Sequence, residues 1–131
     1  MVLVQDVYKN RHNMILKFGE ARIHHVHVQG KRIHPPARHC TGLDNAVIIN
    51  NKDLQSNLIS AHSNERITAV HIWWSHGGCQ KELVIVNVYL RPREDLEPDL
   101  QLLGRLLHDP QWRTLPIIIS GDWNARHEAW D

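Results

Sequence analysis

The sequence predicts an α/β domain in which one helix packs on a face of a β-sheet. Apolar runs of strand length occur at residues 46–49, 83–89 and 116–119. A single segment, residues 96–107, repeats leucine at helical spacing. The order of strands, then a helix, then a strand favours a helix that covers a sheet. A length of 131 residues fits one domain.

The composition limits the class of protein. Hydrophobic residues make up 42% of the chain and charged residues 22%, which is enough apolar material for a buried core. Fifteen basic and fourteen acidic side chains give a formal charge of +1, which neither indicates nor excludes a nucleic-acid partner. No apolar run approaches the roughly 20 residues that cross a bilayer, and residues 1–6 do not resemble a signal peptide. Two cysteines do not make a disulfide framework, so we expect an intracellular setting, nuclear or cytoplasmic. Because no apolar run is long enough to cross a bilayer, we expect no membrane partner.

Short strands are predicted for the first half of the chain. Residues 2–4 are predicted to form a buried strand that ends at Gln5 and Asp6. Further strands are predicted at residues 20–28, 46–49 and 54–60. Residues 30–44 contain Pro35-Pro36 and several basic side chains, which predict a loop.

A hairpin is predicted in the middle of the chain. In residues 66–74, alternate side chains belong to opposite faces of a strand. One face carries Ile67, Ala69, His71 and Trp73, and the other carries Val70, Ile72 and Trp74. The turn at residues 75–78 leads into residues 83–89, which are apolar on both faces. That pattern predicts a central strand that is covered on both sides.

The helix and the last strand follow. Leu96, Leu100, Leu103, Leu106 and Leu107 predict one apolar helix stripe. Residues 116–120 then predict another buried strand, which ends at residues 121 and 122.

Polar side chains follow two of these strands. Asp122 and Asn124 come after the last strand, and Tyr89 ends the central one. Ligands bind beyond strand ends in open sheets, so these groups could hold a metal and orient a water. The alternative is that Gly-Asp-x-Asn only forms a turn, because Asp and Asn hydrogen-bond their own backbone.

Histidine is unusually frequent, with 11 residues. These are either scattered surface imidazoles or, in part, a structural zinc site formed by His25, His27, His34, His39 and Cys40. Structural zinc sites repeat a tight pair of ligands, and the sequence contains no such repeat. The spacing therefore favours scattered imidazoles.

Residues 121–130, Gly-Asp-Trp-Asn-Ala-Arg-His-Glu-Ala-Trp, resemble the "GDFNAHHxxW" motif of the endonuclease/exonuclease/phosphatase superfamily. The resemblance is to the apurinic-endonuclease-like domain of non-LTR retrotransposons. Residues 87–92 are similar to its "vVYxPP" strand, and residues 4–6 to its "lQE" strand end. The order and spacing of the intervening strands also fit. The resemblance implies a mixed-sheet, four-layer sandwich, of which this chain carries the amino-proximal part.

The resemblance also implies a Mg²⁺-dependent, or Mn²⁺-dependent, phosphodiesterase that nicks DNA and is part of a longer polypeptide with a reverse transcriptase. On it, Asp122 orients or activates the attacking water, and Asn124 holds the scissile phosphate. Tyr89 offers its hydroxyl to the phosphate, and Asp6 places a carboxylate on the metal. Hard Mg²⁺ prefers such oxygen ligands and acts as a Lewis acid on phosphate oxygens.

Three further residues of the motif, Arg126, His127 and Trp130, are expected to contact the substrate. Trp123 stands where the motif has Phe and is expected to pack within the fold.

The chain departs from the family pattern at several points. Asp6 replaces a Glu, Arg126 replaces the first His of the pair, and residues 1–131 contain no Ser-Asp-His segment. We therefore expect residues 1–131 to be a single partial domain that is inactive alone. One alternative is a non-catalytic remnant that binds nucleic acid or protein. The other is a phosphatase of the same superfamily.

Overall fold

Two β-sheets packed face to face form the centre of the molecule, and one helix lies outside the larger sheet. The computed structural model describes residues 2–7, 21–24, 43–90 and 94–124. The smaller sheet has the strand order β1-β3-β2 and is antiparallel. Its strands are β1 (Val2–Val7), β2 (Arg22–His24) and β3 (Leu43–Ile49).

The larger sheet has the order β4-β5-β6-β7 and is mixed, because β4, β5 and β6 pair antiparallel while β6 and β7 pair parallel. Its strands are β4 (Gln55–Leu58), β5 (Ile67–His76), β6 (Cys79–Tyr89) and β7 (Ile117–Asp122). A short 3₁₀ helix, Ser60–His62, precedes β5, and helix α1 (Glu97–His108) connects β6 to β7. The predicted α/β class with a mixed sheet is confirmed.

The β5–β6 hairpin forms where the sequence predicts it. Gly77 and Gly78 have φ angles of 59° and 75°, and two successive positive φ angles define the turn whose twist matches paired strands. The predicted faces of β5 are also confirmed. Ile67 and Ala69 pack on the helix side, whereas Val70 and Ile72 pack toward the smaller sheet.

Two apolar layers lie on either side of β6. We call them the helix layer and the inter-sheet layer. The helix layer contains Val84, Val86 and Val88 of β6 together with Leu102 and Leu106 of α1. The inter-sheet layer places Ile85 of β6 and two residues of β5 against β3; its buried aliphatic residues are Val47, Ile49, Val70, Ile72 and Ile85. The prediction of a central strand covered on both faces is therefore confirmed for β6.

The predicted stripe of α1 is partly wrong. Leu103 and Leu106 are buried as expected, but Leu100 and Leu107 are 48% and 44% exposed, and Leu102 is buried instead. Residues 99, 102, 103 and 106 form the face toward the sheet, since they follow an i, i+3, i+4, i+7 pattern. Leucine is frequent enough in this helix that two different stripes could be drawn through it.

The prediction that the last strand is buried is also wrong. Among the described residues β7 pairs only with β6, and Ile118 is 51% exposed. Ile117 and Ile119 pack against the helix layer, so among the described residues β7 is packed on that face and Ile118 is half-exposed on the other. In the part of the chain that the structure describes, no helix is long and apolar enough to cross a membrane.

Candidate active site

The carboxyl ends of β6 and β7 bring two predicted site residues together. The strands run parallel, and Tyr89 is the register partner of Asp122. The Leu90 N–H donates to the Asp122 carbonyl oxygen at 2.9 Å, which extends the ladder to the end of both strands. Register partners on neighbouring strands share a face of the sheet. We call this end of the two strands the rim.

The shared face is the one that looks toward the smaller sheet. Ile85 packs in the inter-sheet layer, and the Asn87 side chain donates to a backbone carbonyl of β3. Side chains two residues apart on a strand share a face, so Tyr89 lies on the same side as Asn87. Tyr89 is half-buried and Asp122 is exposed. The phenol and the carboxylate therefore sit where the inter-sheet space opens to solvent.

Gly121 lets β7 approach β6 at the rim. Its φ angle is 144°, and a Cβ at this position would overlap the backbone carbonyl of Val88. Glycine adopts this φ readily and has no Cβ, so it is the residue type that fits at this position. The glycine of the Gly-Asp-x-Asn sequence is thus explained by backbone packing next to Asp122.

Asn124 anchors the end of the rim. Its backbone N–H donates to Asp122 Oδ1 at 2.9 Å, and its Nδ2 donates to the Leu90 carbonyl at 2.7 Å. Its φ is 45°, a conformation that Asn tolerates better than most residues. The turn expected of Gly-Asp-x-Asn is present, and the same hydrogen bonds hold Asn124 beside Asp122.

Strand β1 lies close to both strands of the rim. The backbone of β1 contacts β6 and β7, and Gln5 pairs with Asn45 of β3. The Asn45 side chain in turn donates to the Asn87 carbonyl of β6 at 3.1 Å. The β1 backbone at Gln5 is therefore linked through Asn45 to the strand that carries Tyr89.

The remaining predicted residues are outside the described part of the chain. Arg126, His127 and Trp130 follow the last described residue, and the five candidate zinc ligands lie in residues 25–42. Trp123, which was expected to pack, is 37% exposed beside the rim.

Sequence reasoning missed three buried polar side chains behind the rim. Asn45, Thr68 and Asn87 are fully buried and connect the two sheets. A signal was present, because Asn87 interrupts an apolar run and Asn45 precedes another. A polar side chain in a buried strand requires hydrogen-bond partners, so each one marks a contact that the sequence alone cannot locate.

The Asp122 carboxylate at the rim is the type of oxygen ligand that a divalent cation binds. Asp122 Oδ1 accepts from Asn124, and Oδ2 has no partner among the described residues. Mg²⁺ is usually held by one or two protein carboxylates, with waters and substrate phosphates completing its shell. The rim supplies one such carboxylate. In residues 2–7, 21–24, 43–90 and 94–124, no group of three or more His, Cys, Asp or Glu residues is arranged to hold a metal.

Comparison with known proteins identifies the fold. No family model and no curated protein matches the chain. Among solved structures, the endonuclease domain of TRAS1, a telomere-specific non-LTR retrotransposon, matches with a TM-score of 0.61 and 21% identity. The match covers 86% of this chain and 45% of that one, so the chain spans less than half the length of the domain it resembles. The chain therefore has the fold of a retrotransposon endonuclease domain over the part that the two structures share.

Proposed function

We propose that this chain is part of a divalent-metal-dependent DNA endonuclease domain, in which the rim handles the scissile phosphate. The observation that carries the proposal is the pairing of Tyr89 with Asp122 at the carboxyl ends of two parallel strands. The shared fold with a retrotransposon endonuclease domain supports it.

Each rim residue has a role that follows from its donors and acceptors. The Asp122 carboxylate, fixed through Oδ1, orients or activates the attacking water. The Tyr89 hydroxyl donates to a nonbridging phosphate oxygen. Asn124 gives one amide N–H to Leu90 and keeps the second for the phosphate.

Mg²⁺, or Mn²⁺, bound at this rim would supply Lewis-acid stabilisation of the charge that develops on the phosphate oxygens. Asp122 and Asp6 are the residues we propose to hold it. Arg126, His127 and Trp130 are proposed to contact the DNA. The partner is DNA, the setting is nuclear or cytoplasmic, and the chain acts as part of a longer polypeptide that carries a reverse transcriptase.

The test measures DNA binding first, because we expect these 131 residues alone not to hydrolyse DNA. A fluorescent duplex is titrated with the chain in EDTA and in Mg²⁺, using the wild type, Asp122→Ala and Asp53→Ala. Asp53 is a matched control, since it is an exposed aspartate at the opposite end of the sheets. Mg²⁺ is expected to tighten binding by the wild type and by Asp53→Ala, but not by Asp122→Ala.

An equal Mg²⁺ effect in all three proteins would contradict the proposal. Nicking of supercoiled plasmid is measured in parallel, and any Mg²⁺-dependent nicking must disappear in Asp122→Ala. Salt-dependent DNA binding with no Mg²⁺ effect would favour the non-catalytic alternative.

A further inference from the structure

Buried amides join the two sheets directly behind the rim. Asn45 of β3 and Asn87 of β6 are both 0% exposed. Asn45 Nδ2 donates to the Asn87 carbonyl at 3.1 Å, and Asn87 Nδ2 donates to the Ala46 carbonyl at 3.1 Å. Each strand thus receives a side-chain hydrogen bond from the other. We call this exchange the amide clamp.

The clamp also includes β5. Asn45 Nδ2 donates to the Arg66 carbonyl, and Asn45 Oδ1 accepts from the Thr68 hydroxyl. Both amide protons and the carbonyl oxygen of Asn45 are therefore used. A fully satisfied amide of this kind has a single orientation, and its contacts fix the strands in one register.

The buried residues of the inter-sheet layer are aliphatic, and Trp74 packs against them. A second side-chain hydrogen bond between the sheets, His24 Nε2 to Ser56 Oγ at 2.8 Å, joins β2 to β4, away from the rim. Van der Waals contacts between aliphatic side chains are non-directional, so they hold the sheets together without fixing how one lies over the other. Of the partners of Asn45 only Thr68 is a side chain, so apolar groups of similar shape can replace that pair at a modest cost in stability. The Arg66 carbonyl then keeps its hydrogen bond from the Tyr89 N–H. The clamp therefore fixes the relative position of the two sheets more than it contributes to the stability of their packing.

The clamp lies close to the strand residues that precede the rim. Asn45 is the register partner of Gln5, and Asn87 is two residues before Tyr89. The Arg66 carbonyl that accepts from Asn45 also accepts the Tyr89 N–H, at 2.8 Å. Asn87 is in turn the register partner of Ser120, two residues before Asp122.

We infer that Asn45 is a positioning residue: through the amide clamp it fixes the strand that carries Asp6 over the strands that carry Tyr89 and Asp122. The functional meaning of this inference rests on the proposed function, but the geometry can be tested without it. Without the clamp, the sheets would remain packed while the rim would sample more than one arrangement.

The experiment observes Tyr89 directly. The chain has two tyrosines, so in a Tyr8→Phe background 3-fluorotyrosine gives one ¹⁹F NMR signal, from position 89. We expect a single narrow line for the parent chain. Asn45→Leu combined with Thr68→Val, an apolar replacement of similar volume, is expected to split or broaden that line. Val70→Ala, a cavity in the same layer, is expected to leave it single.

A conservative pair at position 68 covers the case in which the double variant does not fold. Thr68→Val removes the hydroxyl and keeps the shape, whereas Thr68→Ser keeps the hydroxyl and loses a methyl group. Positioning predicts a single line for Thr68→Ser and a broadened or split line for Thr68→Val. If the role of Thr68 is purely structural, the width of the Tyr89 line will increase only in proportion to the loss of thermal stability in each variant. That result would overturn the inference.

The two proposals fail in different ways. Failure of the proposed function would appear as the absence of an Asp122-dependent Mg²⁺ effect in the unaltered chain, whatever the ¹⁹F signal shows. Failure of the inference would appear as one narrow Tyr89 line in every variant. Where Mg²⁺-dependent nicking is measurable, loss of the clamp is expected to lower it by up to about 100-fold, since small misplacements of reacting groups have effects of that size.

Discussion

The two strands that carry the candidate site are alike in sequence and different in support. Both β6 and β7 are apolar runs that end in a polar residue, Tyr89 in one and Asp122 in the other. β6 is paired on both sides and buried on both faces, whereas β7 pairs only with β6 among the described residues. The register partners Ile85 and Ile118 show the difference, with exposures of 2% and 51%.

The difference shows how the rim is held. The Tyr89 backbone is bound to the Arg66 carbonyl of the segment before β5, and the amide clamp lies just behind it. At the rim, Asp122 is held through β6, because its backbone carbonyl accepts from Leu90 and its neighbour Asn124 donates to the Leu90 carbonyl. The position of Asp122 therefore depends on the backbone at the end of β6, and a disturbance of β6 should move both Tyr89 and Asp122.

The largest effect on stability is expected for the buried charged pair that supports the end of β6. Arg66 Nε lies 3.0 Å from Oδ2 of Asp99, a fully buried residue of α1, in a charge–charge contact rather than an aligned hydrogen bond. Asp99→Ala would leave the Arg66 guanidinium without its buried partner. We expect it to lower the free energy of unfolding by about 3–5 kcal/mol.

Urea unfolding followed by circular dichroism measures this loss. Glu94→Ala is the matched control, because Glu94 also contacts Arg66, at 2.6 Å, but its side chain is 43% exposed. We expect the control to lose less than about 1 kcal/mol. Equal losses in the two variants would show that the buried pair does not support the end of β6.

A matched pair of substitutions tests the comparison of β6 with β7 directly. Ile85→Ala opens a cavity in the inter-sheet layer and is expected to cost about 2–5 kcal/mol of unfolding free energy. Ile118→Ala removes the same atoms from a half-exposed site on the same face of the sheet. We expect this substitution to change the free energy of unfolding by no more than about 0.5 kcal/mol. Similar losses in the same unfolding experiment would mean that Ile118 is covered in solution.

The smallest effect is expected far from both strand ends. His62 Nε2 donates to Asp109 Oδ2 at 2.7 Å, which ties the end of α1 to the 3₁₀ helix. This hydrogen bond, with a second from the Gln111 backbone, lowers the pKa of Asp109 below its usual 3.8. Because the pKa of Asp109 is lower in the folded chain, its ionised carboxylate stabilises the fold at pH values above 3.8. This contribution is lost as the pH falls from 3.8 through the lowered pKa.

Asp109→Asn should therefore reduce the thermal midpoint near neutral pH. The difference from wild type should shrink as the pH falls below 3.8, where the wild-type carboxyl becomes protonated. Thermal scans of both proteins across this range measure it. A difference that stays constant with pH would show that the carboxylate charge makes no contribution.

The sequence predicts those elements whose pattern is local. Gly77-Gly78 between two apolar strands is sufficient for the hairpin, and the doubly apolar run of β6 is sufficient for its central place. The parallel pairing of β6 with β7 is consistent with the intervening helix, since parallel strands require a crossover. The juxtaposition of Tyr89 and Asp122 follows from that pairing.

Features that depend on distant partners could not be predicted. The exposure of Ile118 depends on what packs over its face of β7, and a local run of apolar residues does not carry that information. The partners of Asn45 are 21, 23 and 42 residues away along the chain. A buried asparagine signals that partners exist, but only the packing of the two sheets identifies them.

Paramagnetic broadening by Mn²⁺ tests most directly whether the rim is a divalent-metal site. The backbone amide signals of ¹⁵N-labelled chain are followed while Mn²⁺ is added at low stoichiometry. We predict that Leu90, Asp122 and Asn124 broaden first, well before the Gly77-Gly78 turn at the other end of the sheet, and that Asp122→Ala removes this preference. Uniform broadening, or broadening at another site that is unchanged in Asp122→Ala, would contradict the assignment of the rim.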